Sequence, residues 1–162
     1  MNYSNITTCD VCNGLGIGVV LWCQGCDLHC EKCHNPETWD FEKGIPFTER
    51  TWKIIETELN KSYITRFTLS GGHPLAKENL KEVTNLCKLI KAKYPDIKIW
   101  IYTGYIYENI KSYEILKYVD ILVDGPFIWK QRDITLPFKG STNQRVIDIQ
   151  KSLKENKTIL YE

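Results

Sequence analysis

Seven cysteines occur in this 162-residue chain, and six of them fall within the first 33 positions. Two groupings have the spacing of metal ligands. Cys9-x2-Cys12 with Cys23-x2-Cys26 has the outline of a four-cysteine zinc site. Cys26-x3-Cys30-x2-Cys33 is a three-thiolate group within one short loop. Both need Cys26, so only one can hold as written. The zinc grouping places the apolar run Gly16–Trp22 between its ligand pairs and leaves Cys30 and Cys33 idle. The three-thiolate grouping suits an iron–sulfur cluster. Four cysteines close a 4Fe–4S cube completely. Three leave one iron open to a small molecule, the logic that also separates catalytic from structural zinc. The odd cysteine count, with no basic and apolar leader over Met1–Asp10, predicts a reducing cytoplasmic setting in which clustered thiols are metal or redox ligands. Cys9 and Cys12 then read as spare thiols, Cys23 has no assignment, and Cys87 reads as helix core.

Such a loop has to be held by a scaffold. At ~150 residues per domain, the length predicts a single domain over residues 1–162. With 43% hydrophobic and 25% charged residues the composition is globular, which excludes a disordered or collagen-like chain. A formal charge of +1 gives no bulk electrostatic reason to expect nucleic acid or a membrane surface as partner. The longest apolar stretch, Ile17–Trp22, falls far short of the ~20 residues that span a bilayer.

Gly16–Trp22, Arg66–Ser70, Ile97–Thr103 and Ile121–Asp124 read as short buried strands. Helical periodicity predicts helices from Glu49 behind Thr48 as N-cap, over Asn79–Lys93 before Pro95, and over Glu108–Lys117. After Asp124 the pattern weakens to a loop over Phe127–Asn143, a strand over Arg145–Ile149, a charged tail over Lys151–Lys157 and a last strand over Thr158–Tyr161. Strands alternating with helices predict right-handed βαβ crossovers and a parallel sheet. A full (β/α) barrel needs ~250 residues. The chain has room for five or six units, hence a partial, open barrel or a small doubly wound sheet. Either gathers ligands at the carboxyl ends of its strands. There lie Cys26–Cys33, Gly71-Gly72-His73, Thr103-Gly104-Tyr105 and Asp124-Gly125.

A Cys-x3-Cys-x2-Cys loop after the first strand of a (β/α) domain resembles the radical S-adenosylmethionine enzymes. Asn13-Gly14, Gly25-Cys26, Cys30, Cys33, Asn35 and Thr38-Trp39 narrow that resemblance, as do Pro46-Phe47-Thr48, Ser70-Gly71-Gly72, Tyr102-Thr103-Gly104-Tyr105, Val123-Asp124-Gly125 and Gly140-Ser141-Thr142-Asn143-Gln144-Arg145. Over about residues 1–150 they are similar to the activating-protein family of the anaerobic ribonucleoside-triphosphate reductases. The resemblance implies a truncated, TIM-like α/β barrel of the radical S-adenosylmethionine type with five to six parallel strands. It implies a 4Fe–4S cluster on Cys26, Cys30 and Cys33, whose open iron binds the amino and carboxylate groups of S-adenosylmethionine. One electron from a low-potential donor such as flavodoxin then breaks the S–C5′ bond. The resulting 5′-deoxyadenosyl radical takes a hydrogen from a backbone glycine of the large reductase subunit. Lys32, Cys33 and His34 lie where the family's cluster loop meets adenine. Gly71 and Gly72 let a ligand amino group approach the backbone, and Asp124 faces the methionine part.

The chain departs from the family at His73, where Asp or Glu commonly follows the paired glycines; a neutral imidazole brings no anionic charge to an ammonium group. His29 reads as a solvated loop residue, and Gly14-x-Gly16-x-Gly18 precedes a strand and so fails the dinucleotide fingerprint. Trp100, Tyr102, Tyr105 and Tyr107 read as sheet core and rim, with Tyr105 alternatively lining the path of a target glycine loop. The competing functions are activation of another glycyl-radical enzyme such as pyruvate formate-lyase, and a non-catalytic zinc module.

Overall fold

Val19, Val20 and Leu21 are inaccessible to solvent, as are Phe67 and Leu69, Ile99 and Ile101, and Leu122 and Val123. Runs buried on both faces belong at the centre of a parallel sheet. The computed structural model, which describes residues 1–161, places them there. Seven strands form one mixed sheet: β1 (Asn2–Asp10), β2 (Gly18–Cys23), β3 (Ile45–Pro46), β4 (Arg66–Gly71), β5 (Lys98–Tyr102), β6 (Ile121–Asp124) and β7 (Arg145–Asp148), in the order β3-β1-β2-β4-β5-β6-β7. The helices are α1 (Glu49–Leu59), α2 (Lys77–Lys93), α3 (Tyr107–Ile110) and α4 (Ile149–Glu155). None of the described helices is long and apolar enough to cross a membrane.

Only β2, β4, β5 and β6 are parallel, so the expected five to six parallel strands are corrected to four. The flanks run antiparallel: β1 on β2, β3 on β1 and β7 on β6. Connection chemistry explains this. A parallel neighbour needs a crossover of a dozen or more residues, usually helical. Residues 11–17 are too few for one between β1 and β2. The segment before β7 carries only a 3-10 turn at Trp129–Gln131, so the chain doubles back.

Alternate side chains of each strand serve opposite faces. One face packs Phe67, Leu69, Ile99 and Ile101 against Trp52, Ile55 and Leu59 of α1 and Val83, Leu86, Cys87 and Ile90 of α2. α1 begins where the Thr48 N–H donates to Thr51 Oγ1 at 3.2 Å. α2 starts two residues before its expected first residue, and it ends at Tyr94, ahead of Pro95. The helix expected over Glu108–Lys117 divides into α3 and a 3-10 turn at Glu114–Lys117. Part of the expected charged tail is α4, capped by the Asp148 carboxylate on the Lys151 N–H at 3.0 Å. Thr158–Tyr161 contributes only a bridge between Leu160 and Ile147.

Among the described residues, no helix packs on the other face. Trp100, Ile121 and Val123 pack there beneath Phe138, Val146 and Tyr161. Beside them the fully buried Arg66 donates from Nη2 to both the carboxylate and the carbonyl of Asp10 at 2.8 Å, and from Nη1 to the Asn13 carbonyl at 2.7 Å. Burial alone would raise the Asp10 carboxyl; hydrogen bonds from Asn13 and Arg66 outweigh it and hold the group below its ordinary value. Gly14 belongs to the same anchor: a Cβ there would lie 2.6 Å from Arg66 Cδ. Removing one partner of a buried pair strands the other. Arg66→Met is therefore expected to cost about 3 kcal/mol in urea unfolding; a loss below about 0.5 kcal/mol, within the range of a plain surface substitution, would contradict the anchor.

Candidate active site

β2 and β4 keep pairing beyond the edge of the sheet. The Gly72 N–H donates to the Cys23 carbonyl at 2.8 Å and the His73 N–H to the Gly25 carbonyl at 2.7 Å. Gly71 has a φ of 94°, and a Cβ on Gly72 would lie 2.4 Å from the Gly25 carbonyl oxygen. The paired glycines thus permit chain-to-chain contact as well as any approach of a ligand. The Gly25 and Cys26 N–H groups donate to Thr38 and Trp39 carbonyls at 2.7 and 3.0 Å, which closes the base of the cysteine loop.

Above these strand ends lies a cavity of about 470 Å³, within the range of small-molecule sites. Cys26, Cys30 and Cys33 all line it, with His34, Gly71 and Gly72. Burial pushes the Cys26 thiol up, while the N–H groups of Leu28 and His29 pull it the other way. The Leu28 N–H reaches Cys26 Sγ at 3.5 Å and the Asn35 N–H reaches Cys33 Sγ at 3.4 Å. N–H···S contacts of this kind tune cluster-bound sulfur. Among the described residues no three metal-binding side chains close on a single ion. Cys23 is fully buried in the helix-side core, and Cys9 contacts the Tyr63 hydroxyl at 3.8 Å. The four cysteines of the zinc grouping are therefore not brought together. Three soft thiol donors around one roomy cavity do fit a multi-iron cluster, one cysteine to each of three irons.

The remaining expected residues divide. His34 borders the cavity, its ring 5.4 Å from Phe127. Lys32, with a φ of 54°, lays its ammonium 4.4 Å over the Trp129 ring, outside the cavity lining. His29 stacks on Trp39 at 4.5 Å. His73 borders the cavity, but Nδ1 meets Asp27 Oδ1 at 2.5 Å and Nε2 meets Thr103 Oγ1 at 2.7 Å. Asp124 is fully buried and outside the cavity lining. Its carboxylate accepts from the Tyr107 N–H at 2.8 Å and from Arg145 Nε at 3.0 Å, and also pairs with Arg145 Nη2.

Sequence reasoning missed Asp27, Phe127 and the role of Gln144. Gln144 Oε1 accepts the N–H groups of Gly140 and Ser141 at 2.9 and 3.1 Å, and its Nε2 donates to the Gly125 carbonyl at 3.0 Å. The Gly140–Arg145 motif was visible; its function as a tie to the end of β6 was not.

Residues 12–147 match the family model described as a 4Fe-4S single cluster domain. The chain is 44% identical to the anaerobic ribonucleoside-triphosphate reductase-activating protein of Enterobacteria phage T4, over 90% of this chain and 93% of the relative. The proteins of the same name in Vibrio cholerae serotype O1 and Escherichia coli K12 are 37% and 35% identical, over 89% and 90% of this chain and 96% and 97% of theirs. The chain belongs to this family.

Within the activating-protein family, this member keeps its β6 end in place through Arg145, which spans Asp124 and Glu108. Hydrogen bonds from Arg145 and Thr158 hold the Glu108 carboxyl down at about 2. Arg145→Ala leaves the buried Asp124 carboxylate with one backbone donor. The expected cost is about 2–4 kcal/mol in denaturant unfolding at neutral pH. An unchanged midpoint would contradict the pairing. Glu108 has a folded value below its unfolded one, so its contribution is present above about pH 4.5 and is lost as pH falls toward about 2.

Proposed function

We propose that this activating protein holds a 4Fe–4S cluster on Cys26, Cys30 and Cys33, binds S-adenosylmethionine at the open iron, and generates a glycyl radical on the large subunit of an anaerobic ribonucleoside-triphosphate reductase. The observation that carries the reading is the convergence of those three thiols on one cavity, at the carboxyl ends of β2 and β4 beside Gly71 and Gly72. Family membership supports the target. When bound, the cluster and S-adenosylmethionine supply reductive cleavage of the S–C5′ bond and a 5′-deoxyadenosyl radical that abstracts the glycine hydrogen.

The chain's own residues bind and shield. Backbone groups at Gly71–Gly72 take the amino group. His34 edges the adenine together with Cys33, and Lys32 fixes its side of the cluster loop through Trp129. His73 and Asp124 act through the residues they hold. The four parallel strands with antiparallel flanks read as a partial, open TIM-like barrel, and the helix-free face is the side on which a loop of another protein enters. A low-potential donor such as flavodoxin supplies the electron, and a reducing cytoplasm is the setting in which seven free thiols stay reduced.

The test is anaerobic incubation of the reconstituted protein with S-adenosylmethionine, a reductant and the reductase large subunit, read by electron paramagnetic resonance. A glycyl radical signal is expected with wild-type protein and with Cys9→Ser, and none with Cys30→Ala. A signal on pyruvate formate-lyase alone would assign a different target. A protein that takes up zinc but no iron and sulfide would overturn the reading.

A further inference from the structure

His73 stands where an acidic residue would meet a ligand's ammonium group, yet its polar atoms are already spent. The side chain is 1% exposed. The hydrogen positions follow from its neighbours. Thr103 Oγ1 accepts the Tyr105 N–H at 3.1 Å, so its own proton is free for His73 Nε2. Asp27 is acceptor-only when ionised, so His73 Nδ1 carries the proton that reaches it. The second Asp27 oxygen accepts the Tyr105 hydroxyl at 2.6 Å.

Asp27 follows Cys26 directly and lies in the Cys26–Cys30 arm of the cysteine loop. His73 follows β4, and Thr103 and Tyr105 follow β5. The network therefore joins the loop to two strand ends, and the Tyr105 ring packs edge-on against His73 at 4.3 Å. The backbone of His73 is fixed as well, through Gly25 and through its carbonyl, which accepts from Asn79 Nδ2 at 3.1 Å. A ligand could take a His73 nitrogen only by breaking a bond to Asp27 or Thr103.

We infer that His73 is a positioning residue that clamps Asp27 and thereby preorganises the cysteine loop for the cluster, and that it makes no polar contact with S-adenosylmethionine. This rests on the cluster assignment above. A loop held before ligation loses less freedom on binding, and partners behind a metal ligand typically matter to metal affinity by ~10–100-fold.

The experiment compares anaerobically reconstituted wild type with His73→Ala, His73→Asn and Tyr105→Phe. Two quantities are read: the rate of iron loss to a chelator, and the equilibrium-dialysis affinity for S-adenosylmethionine of the cluster-loaded fraction. His73→Ala is expected to lose iron about tenfold faster. His73→Asn keeps an amide donor near the Nδ1 position and is expected to recover most of that loss. Tyr105→Phe removes one hydroxyl from the network outside the cavity. It is expected to speed iron loss by itself and to add nothing in the His73→Ala background, as coupled members of one unit should. Affinity for S-adenosylmethionine is expected to stay within about threefold throughout, less than loss of one hydrogen bond to a charged group would cost. Wild-type iron retention in His73→Ala with a tenfold or greater loss of that affinity would overturn the inference. So would additive effects of His73→Ala and Tyr105→Phe. If His73→Ala does not fold, His73→Asn and Tyr105→Phe decide by the same two readouts. Failure of the wild type itself to build a cluster would instead refute the function, and this inference with it.

Discussion

Gly71, which ends β4, and Gly72 after it lie against the chain leaving β2 at a separation no side chain would permit, since a Cβ on Gly72 would meet the Gly25 carbonyl oxygen at 2.4 Å. Two backbone hydrogen bonds use that closeness, from Gly72 to Cys23 and from His73 to Gly25. The position of the cysteine loop follows. Cys26 emerges over the end of β4 instead of turning away from the sheet, and the Thr38–Trp39 segment can close the loop from its far side. The same contact sets where His73 starts, which brings its ring beneath Asp27. Without the close approach, the three cysteines would still be neighbours in sequence, but their loop would lose its direct backbone tie to the end of β4.

The sheet's asymmetry decides which way the cavity opens. α1 and α2 bury one face against a continuous apolar core. The other face holds a small aromatic and aliphatic cluster beside a buried Arg66–Asp10 pair, covered by irregular chain. A buried ion pair is a poor source of net stability compared with apolar packing, but removing one partner strands the other at a high cost. Here it pins residues 10–16, which include Asn13 at the cavity wall. On the opposite wall, the segment after β6 meets the cysteine loop through Lys32 over Trp129 and His34 beside Phe127. The cavity is thus framed by loops from both flanks of the sheet, and it lies on the side against which none of the described helices packs.

The residues of the proposed site were legible because their types are distinctive. Closely spaced cysteines and paired glycines have few alternative explanations, and the apolar runs of β2, β4, β5 and β6 mark strands buried on both faces. β1 was illegible because an edge-side strand leaves little apolar signal: of Asn2–Asp10, only Tyr3 is buried. α4 hid in a charged segment because only Ile149 and Ser152 are buried. Position at a strand end was correctly read for Asp124, yet its direction depends on Arg145, 21 residues away and adjacent only through antiparallel β7. Asp27 and His73 are likewise 46 residues apart. Each alone is an ordinary loop residue, and only the β2–β4 register makes them a pair.

The proposed function requires an iron left open by three-cysteine ligation beside Gly71 and Gly72. Electron–nuclear double resonance on the reduced, cluster-loaded protein tests that most directly, using S-adenosylmethionine labelled with nitrogen-15 at its amino group. A nitrogen-15 coupling to the cluster spin, together with a change in the cluster's paramagnetic resonance on adding S-adenosylmethionine, is the expected result. No coupling and an unchanged cluster signal at saturating S-adenosylmethionine would contradict it.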